Sequence, residues 1–217
     1  NYFNKGYMTM NYKAIIWDFG GVITSSPFEA FNDFEKKNDL PLDLIRNINS
    51  ENPNENAWAK FESNLVSIEE FDELFYQEAK AKGYDVKGKE IIKLLSGSIR
   101  GNMVEFLKEV KGTYKLGCIT NNVKPLEKDI REDSNAVASK EAMLLFDHII
   151  ESSKVGIRKP NPEIYKMSCN ALNVNPSDCI YLDDLGINLK PARELGMTTV
   201  KVIDPEEAIK EVRNLLE

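Results

Sequence analysis

Ala14-Ile15-Ile16-Trp17-Asp18-Phe19-Gly20-Gly21-Val22 joins four consecutive apolar residues to an acid and a glycine pair. An unbroken apolar run of that length, with no polar alternation, reads as a strand buried on both faces. Strands of this kind belong to parallel sheets covered by helices on each side. In an open parallel sheet, ligands collect beyond the carboxyl ends of the strands. Asp18 stands at such an end, and Gly20 and Gly21 leave room for backbone to approach a ligand.

Outward from this stretch, the same signal recurs at Leu116–Ile119, Ile149–Ile150, Cys179–Leu182 and Thr198–Ile203. Helical patterns lie between the later runs. Met103, Phe106, Leu107 and Val110 recur at helical spacing. Asn161-Pro162 and Asp204-Pro205 each offer an N-cap side chain followed by a first-turn proline. Gly196 terminates a helix that starts near Asn188. Strand alternating with helix predicts an α/β fold with a parallel sheet. Pro27–Gly97 breaks the rhythm, with helical segments and no convincing strand. Ser67 and Glu70 form a capping-box pattern, and Ala57, Trp58, Phe61 and Leu65 make an apolar face read as packing. This stretch is a helical insertion between the first strand and the second. Val123–Leu145 reads as a loop followed by a helix near Ala138–Leu145.

Composition narrows the functional classes. A net charge of -7 excludes a non-specific nucleic-acid binder, which needs a basic surface. No stretch approaches a membrane span, and the first residues lack the apolar core of a signal peptide. Met8 and Met10 are both candidate initiators. Cys118, Cys169 and Cys179 are expected to be free thiols in a reducing cytoplasm. His148, the single histidine, reads as a strand-edge residue, so any catalysis must rest mainly on carboxylates, lysine and hydroxyls, with or without a metal.

The residues after each strand supply such a set. They are Asp18, then Thr120-Asn121, then Lys154 and Arg158-Lys159-Pro160, then Asp183-Asp184. Three carboxylates on one rim repel one another unless a cation sits among them, and oxygen ligands suit Mg²⁺. Lys159 adds a positive charge, and Thr120 a donor for a phosphate oxygen.

The order Asp18-Phe19-Gly20-Gly21-Val22, Thr120-Asn121, Lys159-Pro160-Asn161-Pro162 and Asp183-Asp184 resembles the haloacid dehalogenase superfamily. Glu151–Pro160, with Asp183-Asp184 and Asn188, is similar to the subgroup containing the N-terminal phosphatase domain of soluble epoxide hydrolase and bacterial sugar-phosphate phosphatases. The resemblance implies a Rossmann-like core of residues 11–25 and 98–217, with a helical cap of residues 26–97 inserted after the first strand. It implies a Mg²⁺-dependent phosphohydrolase acting on a small phosphorylated metabolite, as a cytoplasmic monomer or homodimer. Asp18 would be the nucleophile, with Thr120 and Lys159 as its catalytic partners. Gly20, Gly21, Thr120, Asn121, Lys159 and Asn188 would line the phosphate site, Asn188 also ordering its loop. Asp18, Gly20 through its carbonyl, Asp183 directly or through water, and Asp184 would hold Mg²⁺.

One position departs from the pattern. Most phosphatases of the superfamily carry an acid/base aspartate two residues after the nucleophile, and here that position is Gly20. Two other readings follow: a 2-haloacid dehalogenase, which uses the Asp nucleophile without Mg²⁺, or a non-catalytic module that binds a phosphoester or a protein. Substrate choice is expected of the cap, with Ser25, Ser26 and Phe28 as contacts and hinges near Thr24–Pro27 and Ser96–Asn102. Arg100 reads as a surface arginine with some reach to an anionic substrate.

Overall fold

The computed structural model describes residues 11–95, 97–122 and 134–217. Ser96 and the loop expected from Val123 therefore fall outside the described residues, the loop up to residue 133. Five parallel strands form one sheet: β1 (Ala14–Trp17), β2 (Lys115–Thr120), β3 (His148–Glu151), β4 (Cys179–Asp183) and β5 (Thr198–Lys201), in the order β3-β2-β1-β4-β5. Trp17 is in register with Cys118 on one side and Leu182 on the other. Asp18 therefore emerges beside Asp183, where the strand order reverses and a crevice opens beyond the sheet.

Why β1 is unbroken apolar sequence is visible in the two packed faces. Ile15 and Trp17 lie with Cys118 and Leu182 against α6 (Gly101–Val110) and α11 (Pro205–Leu216). Ala14 and Ile16 lie with Ile119 and Tyr181 against α9 (Pro162–Leu172) and α10 (Gly186–Glu194). Full burial of one such side chain contributes roughly 1.5–3 kcal/mol. Both proline-led helices start as expected: Asn161 accepts from Glu163 N at 3.0 Å, and Asp204 from Glu206 N at 2.9 Å. Gly196 takes φ +97° just beyond α10. The helix preceding β3 is α7 (Ser134–Met143), a few residues earlier than the sequence suggests, and a short α8 (Ser152–Val155) follows β3. His148 is exposed on the edge strand, and the three cysteines are free and buried. Among the described residues no helix is long and apolar enough to cross a membrane.

Residues 27–92 fold as α1 (Pro27–Lys37), α2 (Leu44–Ser50), α3 (Ala57–Glu62), α4 (Ile68–Ala81) and α5 (Gly88–Ile92) around their own core. Phe71 lies at its centre, stacked on Phe61 with ring centroids 4.4 Å apart and edge-on to Trp58 at 5.7 Å. The capping box of Ser67 and Glu70 forms with both hydrogen bonds in place. Buried Glu35 accepts from Asp43 N at 2.7 Å and Ile45 N at 2.8 Å, so its charge is satisfied at the start of α2. Leu65 does not join this core. Helix α3 stops at Glu62, and Leu65 is 71% exposed.

The two chain crossings into the helical segment run side by side. Thr24 bridges Ile99 in antiparallel fashion, and Ser25 N donates to Ser98 O at 2.8 Å. Gly97 lies so close to this ribbon that a Cβ would stand 2.7 Å from the Ser25 carbonyl. Gly101 is the first residue of α6. A second tie lies at α3, where Ser152 Oγ donates to Glu62 O at 2.7 Å and Arg158 pairs with the Glu62 carboxylate at 2.7 Å.

Candidate active site

Lys159 is the hub of the rim. Its ammonium stands 2.7 Å from Asp18 Oδ1 and 2.9 Å from Asp183 Oδ2, with 1% of the side chain exposed. Burial works against that charge, but the two carboxylates outweigh it and hold the Lys159 pKa above that of an ordinary lysine. The lysine backbone is fixed as firmly. Asn121 Nδ2 donates to Lys159 O at 3.0 Å, and Asn121 Oδ1 accepts from Lys159 N at 2.8 Å. This two-way amide pair joins the end of β2 to the loop that carries the lysine. The Asn121 side chain is thus engaged in aiming Lys159.

Asp183 is saturated by protein donors. Lys159 Nζ, Tyr181 OH at 2.6 Å, Leu185 N at 2.8 Å and Asn188 Nδ2 at 3.1 Å to each oxygen leave it no lone pair directed at a ligand. It is 0% exposed. Asn188 holds Asp183 through its side-chain amide. Its Nδ2 is committed to the carboxylate, and its backbone carbonyl accepts from Tyr165 OH at 2.8 Å.

Asp184 differs from its neighbour. It is only partly buried, and among the described residues no other side chain or backbone N–H donates to its carboxylate. Burial and then the charge of Asp183 raise its pKa to about 6, against the pull of Lys159 and Arg100. Asp18 Oδ1 accepts from Phe19 N at 2.7 Å and meets Lys159, while among the described residues no hydrogen bond engages Oδ2. Burial pushes the Asp18 pKa up, Lys159 pulls it down, and Asp183 and Asp184 push it up again.

Ligand atoms of Asp18, Asp183 and Asp184 lie within 4.8 Å of one another. The donor set is entirely oxygen, which fits a hard cation, and the raised carboxylates are those that a cation would relieve. Thr120 ends β2 beside Asp18, 6% exposed, with no hydrogen bond to its hydroxyl among the described residues.

The glycine pair divides into two unlike positions. Gly21 takes φ +80°, and a Cβ there would stand 2.3 Å from Asp184 Oδ2. At Gly20 a Cβ would meet nothing within 4 Å. Gly21→Ala is therefore expected to displace Asp184 and to raise the Mg²⁺ concentration at half-maximal rate by roughly tenfold or more, the effect of about 1.4 kcal/mol at one contact. A Mg²⁺ titration of activity checks this, and an unchanged midpoint would show that the contact has slack.

Ser25, Ser26 and Phe28 each meet a partner within the protein. Ser25 Oγ accepts from Ser98 N at 3.0 Å and Ser26 caps α1, so both hydroxyls serve the backbone. The Phe28 ring lies 4.5 Å below the Arg46 guanidinium. Arg100 is half-buried rather than a surface residue, and its Nη1 donates to Gly21 O at 2.7 Å. The sequence holds no periodic or motif signal for that contact.

A family model described as haloacid dehalogenase-like hydrolase matches residues 12–196. The chain belongs to the haloacid dehalogenase-like hydrolases. Among curated members, bifunctional epoxide hydrolase 2 of Rattus norvegicus is 40% identical over 54% of the chain and 21% of its own length. The sesquiterpene phosphatase astK of Aspergillus oryzae is 27% identical over 96% of the chain and 99% of its own. A predicted HAD-like family hydrolase from Porphyromonas gingivalis shares the fold, with a TM-score of 0.69 at 20% identity over 95% of this chain and 98% of that one. The match spans about a fifth of the length of the longer relatives, among them acyl-CoA dehydrogenase family member 10 of Mus musculus.

Proposed function

We propose that the chain is a Mg²⁺-dependent phosphohydrolase of small phosphorylated metabolites, with Asp18 as nucleophile. The observation that carries this is the contrast between the paired acids. Asp183 is consumed by five donor contacts, while among the described residues no other residue donates a hydrogen bond to Asp184 or to Asp18 Oδ2 in the same carboxylate cluster. A dehalogenase has no use for Asp184 in that state, since its neutral substrate carbon needs no charge neutralised. The phosphatase relative that matches at full length agrees with the reading.

Asp18 Oδ2, the Gly20 carbonyl and Asp184 would hold Mg²⁺, with Asp183 acting through Lys159 rather than on the metal. Bound there, Mg²⁺ would neutralise the charge that keeps an anionic carboxylate from an anionic phosphate. Asp18 attacks phosphorus, the bond from phosphorus to the ester oxygen breaks, and an aspartyl-phosphate forms. Lys159 and the Thr120 hydroxyl hold the phosphoryl oxygens as charge builds on them. Water then attacks phosphorus, releases phosphate and restores Asp18. Gly20 supplies no proton to the leaving oxygen, so that oxygen departs as an anion or is protonated by solvent. Leaving groups of low pKa, such as those of glycosyl and acyl phosphates, suffer least from this. We divide the chain into a core of residues 11–25 and 98–217 and a cap of residues 26–97, and assign substrate choice to the cap, with Phe28 and Arg46 near its first crossing.

The test is phosphate release from a panel of phosphorylated metabolites with Mg²⁺ and with EDTA, alongside halide release from 2-haloacids. Mg²⁺-dependent phosphate release is expected. Halide release indifferent to EDTA would establish the dehalogenase instead, and neither release would leave the non-catalytic module.

A further inference from the structure

Arg100 stands at the second chain crossing, immediately before α6, and two of its donors fall on the segment that follows the nucleophile. Its Nη1 donates to Gly21 O at 2.7 Å, and its backbone N donates to Ile23 O at 2.9 Å. The turn so held rests on Asp184: the Gly21 φ of +80° brings its Cα so near that a Cβ would stand 2.3 Å from Asp184 Oδ2. The guanidinium, the Gly20-Gly21 turn and the Asp184 carboxylate therefore form one stack.

Charge alone argues against this placement. The Arg100 charge acts on Asp184 and draws its pKa down. A fixed guanidinium beside a cation site repels the cation, so on electrostatics alone its removal would tighten Mg²⁺ binding. What the guanidinium gives in return is orientation. Its planar fork holds a peptide carbonyl in one direction, which a flexible ammonium does not. The peptide it holds follows directly after the Gly20 carbonyl.

We infer that Arg100 is a positioning residue that fixes the Gly20-Gly21 turn on Asp184, so that the Gly20 carbonyl and the Asp184 carboxylate are presented together to Mg²⁺. This rests on the proposed metal reading of the site and extends it to a residue of the cap-core crossing. It also ties the crossing to the metal loop, because Ser98 and Ile99 are paired with Ser25 and Thr24 just before Arg100.

Calorimetric titration of Mg²⁺ into the native protein, Arg100→Met and Arg100→Lys tests this without requiring turnover. Near-UV circular dichroism checks the fold of each. Loss of a charged hydrogen bond is expected to raise the Mg²⁺ Kd of Arg100→Met roughly ten- to hundredfold. Arg100→Lys, which keeps charge and stem, is expected to bind Mg²⁺ severalfold more weakly than the native protein, and it decides the matter should Arg100→Met not fold. An unchanged or lowered Kd in the folded variants would overturn the inference and reduce Arg100 to a repelling charge or a fold contact. Absence of Mg²⁺ binding by the native protein would instead remove the metal reading, and this inference with it.

Discussion

Asp18→Asn is expected to lower phosphoester turnover by roughly 10⁴-fold or more while the protein stays folded. The amide cannot form the acyl-phosphate bond, yet it matches the carboxylate in shape. Its carbonyl oxygen keeps the Phe19 N–H donor at the 2.7 Å position. The electrostatic balance also favours a folded variant. Native Lys159 lies between two buried carboxylates, and burial, with Asp183 and Asp184, works against the charge on Asp18. Removing that charge leaves Lys159 in a one-to-one pair with Asp183, which is itself fully hydrogen-bonded. Thermal unfolding of the variant should therefore match or exceed that of the native protein. Phosphate release at native rates from a homogeneous preparation of the variant would contradict covalent catalysis at this position. Loss of rate together with a lowered Tm would instead point to Asp18 as a structural partner of Lys159.

Much of this site is legible in sequence because it depends on strand ends. An apolar run closed by an acid fixes which rim Asp18 occupies, and the same logic places Thr120, Glu151 and Asp183 at neighbouring ends. What the sequence does not carry is direction. Asp183 and Asp184 are adjacent and chemically identical, yet Asp183 ends β4 among Tyr181, Lys159 and Asn188, while Asp184 follows the strand and stands against Gly21. The side chains of Asn121 and Asn188 bind Lys159 and Asp183, contacts that no spacing in the sequence reports. Arg100 lies 79 residues from the carbonyl that it holds, and no local pattern reports a contact of that separation. Leu65 satisfies helical spacing from Phe61 but follows a helix that has already ended at Glu62.

The two adjacent glycines likewise read alike in sequence and differ in space, and that difference supports the second large effect. Gly20→Asp is expected to raise kcat/KM for alkyl phosphates by roughly 10²-fold or more, the scale on which a positioned general acid acts. Gly20 is not in the left-handed region, and its Cβ position is free of any atom within 4 Å, so an L-residue enters without strain or collision. The new carboxyl would join Asp18 and Asp184, whose negative charges raise its pKa toward neutrality and keep it protonated for the first step. After giving its proton to the leaving oxygen, it can take one from the attacking water in the second step. The gain should depend on the leaving group. Alkyl phosphates, whose departing alkoxides are strong bases, need the proton most, while aryl and acyl phosphates need it little. Plotted against leaving-group pKa, log kcat/KM is expected to fall steeply in the native protein and to flatten in the variant. Native and variant lines of equal slope, with no gain for alkyl phosphates, would show that the opening above Gly20 does not face the leaving oxygen. A drop for every substrate alike would show that the added charge disrupts the metal loop rather than serving the reaction.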